Sequence, residues 1–316
     1  MKSKKKILLT GATGFLGSHL LKFLISNNYE VVVLKRSTSD TWRIKNLLKE
    51  IEYIDVDERS ISEAFLSRHI DTVIHTACHY GRGDSLASSV IKTNVVFSLQ
   101  LLEAAVKYKA SYFINTDSFS NSGTQVQGYL NYYNISKSHF IDWLTVFSDK
   151  IKIVNMNLQH LYGPKDGSDK FVPWLLSEML SDAVSISLSE GTQKRDFIYV
   201  DDVVSAYLHL IENPNDKSFV EYDVGTGKLN TVKTFVNTMQ SELEIQLNRK
   251  IKPKLGFGLL PLKAGEVNSP VVKPDALMST GWRPVFDLTA GINKTVSDTL
   301  SSLPKNILSE KNYDAH

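Results

Sequence analysis

The stretch Ile7-Leu-Leu-Thr-Gly-Ala-Thr-Gly-Phe-Leu-Gly17 decides the fold. Its apolar start reads as a strand buried on both faces. Gly11, Gly14 and Gly17 follow at once, and Phe15–Ser26 then carries apolar residues at helical spacing. In that order each glycine has a task. Gly11 permits a tight turn, Gly14 lets the backbone approach a pyrophosphate, and Gly17 lets helix and strand pack closely, with the anion on helix N–H groups. A glycine triplet alone is only a turn. Strand, loop and helix around it make a dinucleotide-binding loop, to which Thr13, Phe15 and Leu16 also belong.

Outward from that loop the same alternation repeats. Val31-Val-Val-Leu34, Thr72-Val-Ile-His75, Tyr112-Phe-Ile-Asn115 and Ile153-Val-Asn-Met156 read as short buried strands, and 90–108 and 133–147 read as helices. Strand and helix in rotation imply right-handed crossovers, hence an α/β, Rossmann-like, doubly wound parallel sheet. After Pro164 the rhythm loosens. Helices are expected at 171–181, 231–247 and 288–303, and strands at 195–200 and 219–224. The expected organisation is a nucleotide-binding domain over 1–164 to which the chain returns around 197–230, a smaller substrate-binding lobe from 165–196 and 231–303, and a tail at 304–316.

Composition sets the bounds of the function. The 316 residues carry 36 Lys+Arg against 34 Asp+Glu, with 42% hydrophobic residues. That is ordinary globular usage, without the basic excess of a nucleic-acid binder. No apolar run approaches the ~20 residues that span a bilayer, and the Lys2–Lys6 run reads as a solvated tail, so no membrane partner is expected. The lone Cys78 excludes an internal disulfide and a cysteine-cluster metal site, and fits a reducing, cytoplasmic setting. His75 and His79 straddle Cys78 at a spacing that matches no familiar zinc pattern, so no metal is expected. A serine hydrolase would need a Gly-x-Ser-x-Gly elbow, which is absent.

Cofactor preference is read at the end of the second strand, Leu34-Lys35-Arg36-Ser37. NAD-binding folds usually place an acid there for the ribose 2′-hydroxyl. Here a guanidinium and a hydroxyl stand instead, a pair suited to a 2′-phosphate. NADP(H) is therefore favoured, with NAD(H) still open. Arg36 and Ser37 are the principal candidates, and Lys35 and Arg43 stand behind them.

Chemistry is read at Tyr133-Asn-Ile-Ser-Lys137, where a phenol and an ammonium lie one helical turn apart. Lysine stabilises a phenolate, so such a tyrosine can exchange a proton with a carbinol or ketone as hydride moves. The strand end Phe113-Ile-Asn-Thr-Asp-Ser118 belongs beside this helix in a parallel fold, where the hydroxyls of Thr116 and Ser118 can reach a substrate oxygen.

On these residues the chain resembles the extended short-chain dehydrogenases/reductases that act as nucleotide-sugar epimerases, dehydratases and reductases. Further anchors are Asp71-Thr-Val-Ile-His-Thr-Ala77, Asn94-Val95, Tyr162-Gly-Pro164, Arg195-Asp-Phe-Ile-Tyr-Val-Asp-Asp202, Tyr222-Asp-Val-Gly-Thr-Gly227 and Gly281-Trp-Arg-Pro284. Within the group, Asn115-Thr-Asp-Ser-Phe119 and 133–143 resemble the CDP-abequose and CDP-paratose synthase branch. The resemblance implies that Tyr133 is the general acid/base, Lys137 its pKa-lowering partner and nicotinamide-ribose ligand, and Ser118 the hydroxyl that bonds the sugar oxygen. It implies that Asp57 contacts adenine, that Ala77 and Asn94 line the cofactor site, and that Arg195 binds the substrate diphosphate, with His160 and Lys170 near sugar or phosphate. It also implies a homodimer built on the helices at 90–108 and 133–147.

Departures from the group choose among reactions. Dehydratases carry adjacent Asp and Glu after the threonine, whereas here Thr116-Asp117-Ser118 lacks the second acid. Asn157 replaces a usual arginine and Phe97 a usual glycine. The expected activity is an NADPH-dependent reductase of a nucleotide-linked 4-keto-6-deoxy or 3,6-dideoxy sugar, with hydride to C4 and Tyr133 as proton donor. The alternatives are a nucleotide-sugar 4-epimerase with tightly bound NAD, and a catalytically silent NADP-binding regulatory protein.

Overall fold

The computed structural model describes residues 5–66, 68–119, 130–262 and 271–303; the expected tail at 304–316 lies outside them. In chain order the first elements are β1 (Lys6–Thr10), α1 (Phe15–Ser26), β2 (Glu30–Lys35), β3 (Glu52–Asp55), β4 (Thr72–His75), α2 (Ala87–Ile91), α3 (Ser98–Lys107), β5 (Tyr112–Ser118), α4 (Asn131–Phe147) and β6 (Lys152–Leu158). With the strand Phe219–Val224 they form a seven-stranded sheet, in the order Phe219–Val224, β6, β5, β4, β1, β2, β3. Every pairing in it is parallel. The doubly wound α/β fold expected from the sequence is the fold observed. β1 pairs with both β2 and β4, so the chain reverses its winding direction there. In such sheets ligands bind beyond the carboxyl ends of the strands at that point.

The apolar runs form these strands because both sheet faces are covered. Ile7, Leu8, Leu9, Val33, Ile74, Phe113 and Ile153 are fully buried. The strand β3 escaped the sequence reading for the same reason in reverse, because only Ile54 of its four residues is buried.

The helix expected at 90–108 is a composite. A π-helical segment, Lys92–Phe97, joins α2 to α3, and the Ser98 hydroxyl donates to the Thr93 carbonyl five residues back. The join yields one continuous helix, Ala87–Lys107, of 21 residues, within which an 18-residue stretch has mean hydropathy 1.2. By length and composition it could cross a membrane, where the sequence reading expected no such segment. Its apolar residues have another use here: Leu101, Leu102, Ala104 and Ala105 belong to the hydrophobic core that also holds Phe113, Phe140 and Leu144.

Two compact units divide the chain. Of the described residues, the first comprises those within 5–159, 203–225 and 272–283, and the second those within 160–202, 226–271 and 284–303. The segment 272–283, expected in the second lobe, lies in the first. The Lys273 N–H donates to the Asp223 carboxylate at 3.0 Å and the Trp282 indole N–H to the Ser205 hydroxyl at 2.9 Å. A helix missed by the sequence reading, Val200–Glu212, carries Val200, Val203, Val204, Tyr207 and Ile211, all buried at helical spacing.

In the second unit the strand Lys194–Tyr199 pairs with His160–Tyr162 in parallel and with Leu229–Thr231 antiparallel. Phe197 stacks on Phe235 with ring centroids 4.2 Å apart, and Tyr162 meets Phe235 edge-on at 5.2 Å. Two acids of the Arg195–Asp202 motif serve this packing. Asp196 accepts from the Thr226 N–H and hydroxyl and the Gly227 N–H, and Asp202 accepts from the Val285 and Phe286 N–H groups.

Candidate active site

The glycine loop occupies the turn between β1 and α1. Gly11 adopts φ +71°, and a Cβ there would lie 2.6 Å from the Ala77 nitrogen. A Cβ on Gly17 would lie 2.1 Å from the Gly11 carbonyl oxygen. These two glycines are therefore demanded by the chain itself. Gly14 is different: it is exposed with φ −79°, and an added Cβ would meet only the Gly11 oxygen, at 3.2 Å. It is the N-cap of α1, and no side chain caps that helix end. An open helix N-terminus, with a glycine the packing does not require, fits a pyrophosphate. Ala77 is held at this loop by its N–H bond to the Thr10 hydroxyl, 3.3 Å.

At the far end of the crevice the candidates divide. Lys35 pairs with Asp55 at 3.3 Å and lies over the Tyr53 ring. Arg36 is exposed. Arg43 donates to the Thr13 carbonyl at 3.2 Å and stacks on Trp42, tying the segment after β2 to the glycine loop. Ser37 donates both its N–H (3.0 Å) and its hydroxyl (2.8 Å) to Asp57. Those two bonds, aided by the charge of Arg36, hold the Asp57 carboxyl below the usual carboxylate range. An acid thus does stand beside the end of β2, supplied from beyond β3.

The catalytic candidates converge at the end of β5. Tyr133 is 6% exposed, and its phenol is hydrogen-bonded to Ser118. Burial raises the pKa of Tyr133 well above the ordinary phenol value, reinforced by Cys78, Tyr80 and Asp117, while the Ser118 bond works the other way. Lys137, also buried, donates from Nζ to the Thr116 carbonyl oxygen at 2.5 Å, so the lowering of the Tyr133 pKa expected from it is not observed: the ammonium is engaged by the backbone while burial raises the phenol. The Thr116 hydroxyl is hydrogen-bonded to the Tyr207 hydroxyl at 2.6 Å. So Ser118, rather than Thr116, meets the phenol. Asp117 is 3% exposed and accepts from the Asn155 amide at 3.2 Å.

Asn94 is 2% exposed on the π-helical segment and clamps the loop after β4. It accepts from the His79 N–H (2.7 Å) and donates to the His79 carbonyl (2.9 Å) and to the Ser136 hydroxyl (2.9 Å). The same loop supplies a residue that sequence reasoning missed. Tyr80 stacks on Tyr133 with centroids 5.1 Å apart and planes at 21°. A tyrosine in a loop has no periodic partner, so no sequence signal marks it.

His75 is a structural residue. Its ring bridges the Thr10 hydroxyl (2.8 Å) and the Ser98 hydroxyl (2.7 Å), and burial, with Lys137 nearby, lowers its pKa to about 3. No group of three potential metal ligands occurs among the described residues. A measurable consequence follows for acid stability. Because the folded pKa lies below the unfolded 6.5, His75 contributes its full share above pH 6.5 and loses it as pH falls towards 3. At pH 5 the loss is about 2 kcal/mol. The loss of stability between pH 7.5 and pH 5, read by denaturant unfolding, is expected to be smaller in His75→Gln than in the wild type by about that amount; an equal loss in both proteins would refute the assignment.

In the second unit, His160 and Arg195 are neighbours. Burial, then the Arg195 charge, lowers the His160 pKa to about 3, so its imidazole is neutral. Arg195 is 7% exposed and donates to the Lys194 carbonyl. Lys170 precedes the helix Phe171–Met179, its ammonium 4.0 Å from Asp169.

Comparison with known proteins now bears on this geometry. A profile of the NAD dependent epimerase/dehydratase family matches residues 7–225. The chain belongs to that family. It is 31% identical over 296 residues to CDP-abequose synthase of Salmonella muenchen, covering 93% of this chain and 97% of that one. Among solved structures, UDP-glucose 4-epimerase of Thermotoga maritima with UDP-glucose superposes with TM-score 0.80 at 25% identity, over 95% of this chain and 100% of the other. UDP-glucuronic acid 4-epimerase of Bacillus cereus, solved with UDP-glucuronic acid and NAD, shares the fold at TM-score 0.77 and 23% identity, over 94% and 99%. The resemblance read from the motifs is thereby established, and with it an NAD(P)-dependent enzyme of the epimerase and oxidoreductase kind.

Proposed function

We propose that this family member reduces a nucleotide-linked 4-keto-6-deoxy or 4-keto-3,6-dideoxy sugar with NADPH, in deoxysugar biosynthesis. The observation that carries the proposal is the buried Tyr133 phenol, hydrogen-bonded to Ser118 at the end of β5 with Lys137 one turn along the same helix. A phenol in that place carries a transferable proton that it can give to a substrate oxygen within hydrogen-bond reach. Reduction of a ketone begins by needing that acid. Similarity to a CDP-abequose synthase along nearly the whole chain supports the same reading, and so does the missing dehydratase acid after Asp117.

The dinucleotide, when bound, supplies a hydride. The residues suited to hold it are the loop from Gly11 to Gly17, with Thr13, Phe15 and Leu16, then Arg36, Ser37, Asp57 and Ala77. Ser118 orients the C4 carbonyl oxygen. Tyr133 gives its phenolic proton to that oxygen as C4 gains hydride, which leaves a hydroxyl. Lys137 stabilises the resulting phenolate. Arg195 and Lys170 are assigned to the substrate diphosphate, where fixed positive charge is the right tool, and His160 to the sugar as a neutral ligand.

A second reading, a sugar 4-epimerase that keeps NAD, is favoured by the Asp57 carboxylate at Ser37, because an acid beside the end of β2 repels a 2′-phosphate. The solved 4-epimerase at 25% identity points the same way. Denaturing the purified protein and identifying the released nucleotide separates the two. Retained NAD supports the epimerase, and an empty or NADP-bearing protein supports the reductase. In stopped flow, the reductase consumes NADPH on mixing with a nucleotide 4-keto sugar; no absorbance loss at the nicotinamide band refutes it. Arg36→Ala is expected to weaken NADPH on the order of tenfold, about 1.4 kcal/mol, and NADH little. Equal effects on both would remove Arg36 from the 2′-phosphate.

We further propose a cytoplasmic homodimer, supported by apolar side chains left exposed on the composite helix and on α4, namely Ile91, Val96, Trp143 and Val146.

A further inference from the structure

The loop between β4 and α2 is built around one aromatic contact. The Tyr80 ring lies on the Tyr133 ring, centroids 5.1 Å apart and planes at 21°, and the Arg82 guanidinium lies over the Tyr80 ring at 5.4 Å. Tyr80 itself is 42% exposed, whereas Tyr133 beneath it is 6% exposed. Ordinary core packing buries both members of a stacked pair. Here one ring stays half in solvent while it covers the other.

The backbone is arranged for this placement. Asn94 holds the loop at both the N–H and the carbonyl of His79. Gly81 then turns the chain with φ +63°, its N–H donating to His79 Nδ1 at 3.0 Å. A Cβ at Gly81 would lie 3.0 Å from Val90 Cγ2, so the turn is tight as well as left-handed. The Ser85 hydroxyl donates to the Arg82 carbonyl at 2.6 Å and ties down the far side. The π-helical segment carries Asn94, and such segments concentrate at functional sites.

We propose that Tyr80 is a positioning residue for the proton transfer at Tyr133, fixing the angle of the phenol and keeping water off its ring. This rests on the reading of Tyr133 as the proton donor. The groups that act on the phenol are Cys78 and Tyr80 from the loop and Asp117 and Ser118 from β5, while Lys137, one turn along the same helix, directs its ammonium to the Thr116 carbonyl. Of these, Tyr80 covers the ring face, so its removal opens Tyr133 to solvent more directly than loss of the others. Burial is the largest cause of the raised Tyr133 pKa, so hydration lowers it. A phenol freed from its stacking partner also samples more angles, and a misplacement of about 1 Å can cost on the order of a hundredfold in rate.

The test uses the whole chain with Tyr80→Ala, Tyr80→Leu and Tyr80→Phe. The ionisation of Tyr133 is read without substrate, as the difference in phenolate absorbance between each protein and the same protein carrying Tyr133→Phe. Tyr80→Ala and Tyr80→Leu are expected to move that transition to lower pH, and Tyr80→Phe, which keeps the covering ring and loses only the neighbouring phenol charge, to move it less than either. With a turned-over nucleotide sugar, the first two variants lose on the order of tenfold to a hundredfold in kcat, KM changes little, and Tyr80→Phe is rescued. Unchanged dinucleotide binding shows that the variants are folded. An unmoved transition in Tyr80→Ala and Tyr80→Leu overturns the proposal, as does loss confined to KM. If the wild type turns over no nucleotide sugar, the proton-donor reading fails by itself, and the substrate-free titration still decides whether Tyr80 controls the phenol.

Discussion

Tyr133→Phe is expected to lower kcat by roughly 10²–10⁴-fold while dinucleotide binding is retained, the range over which positioned acid–base groups act. The substitution removes one oxygen and leaves the ring. That ring keeps its stacking with Tyr80 and its buried place on α4, so the fold has little reason to change. What is lost is the hydroxyl bonded to Ser118, the proton source in the proposed step. Steady-state kinetics with calorimetric dinucleotide binding separate the two effects. Turnover equal to wild type would remove Tyr133 from the chemistry and strengthen the reading of a catalytically silent NADP-binding regulator. Lys137 is a poorer probe. Lys137 is 5% exposed and its ammonium holds the Thr116 carbonyl, so truncation also strips a partly buried acceptor of its donor, which carries its own cost of about 1–3 kcal/mol.

The glycine loop yields the second large effect, and it is a contrast between neighbours. Gly17→Ala places a methyl 2.1 Å from the Gly11 carbonyl oxygen and 2.9 Å from the Ala12 Cα. Both are backbone atoms, so nothing can rotate away. Overpacking of this kind costs about 1–3 kcal/mol or more, and the thermal midpoint is expected to fall by several degrees or the protein to be lost to aggregation. Gly14→Ala has no such clash, with φ −79° and a nearest contact of 3.2 Å. Its midpoint is expected to stay close to wild type while dinucleotide affinity falls on the order of tenfold or more, about 1.4 kcal/mol. Thermal melts and binding isotherms on both variants check this. A Gly14→Ala protein that binds dinucleotide normally would mean that the backbone does not approach a pyrophosphate at this residue.

The parts legible in the sequence were those written locally and periodically. The Val31–Leu34 run, the spacing of Tyr133 and Lys137 and the glycine triplet each lie within one or two turns of chain, where 2-residue and 3.6-residue periods dominate. The elements that escaped lack such a pattern. The strand Glu52–Asp55 buries one residue of four. The π-helical segment Lys92–Phe97 differs from an α-helix by a single hydrogen-bond shift and leaves no mark in composition. The helix Val200–Glu212 follows directly on the strand Lys194–Tyr199, and the strand pattern masks its start.

At the site, the division follows contact distance along the chain. The sequence by itself determined the glycine loop and the doubly wound sheet, because backbone geometry imposes residue type over short spans, and it singled out Tyr133, Lys137 and Ser118 as candidates by their spacing and by resemblance. Tertiary structure decided what those groups meet. Parallel pairing of β2 with β3, Lys35 opposite Asp55, brings Asp57 onto Ser37 across 20 residues and supplies an acid that the end of β2 lacks. The fold sends the Thr116 hydroxyl to Tyr207 and the Tyr80 ring onto Tyr133. The raised pKa of the phenol belongs to the same class, for its largest cause is burial, and burial is a property of the packed chain rather than of any stretch of it.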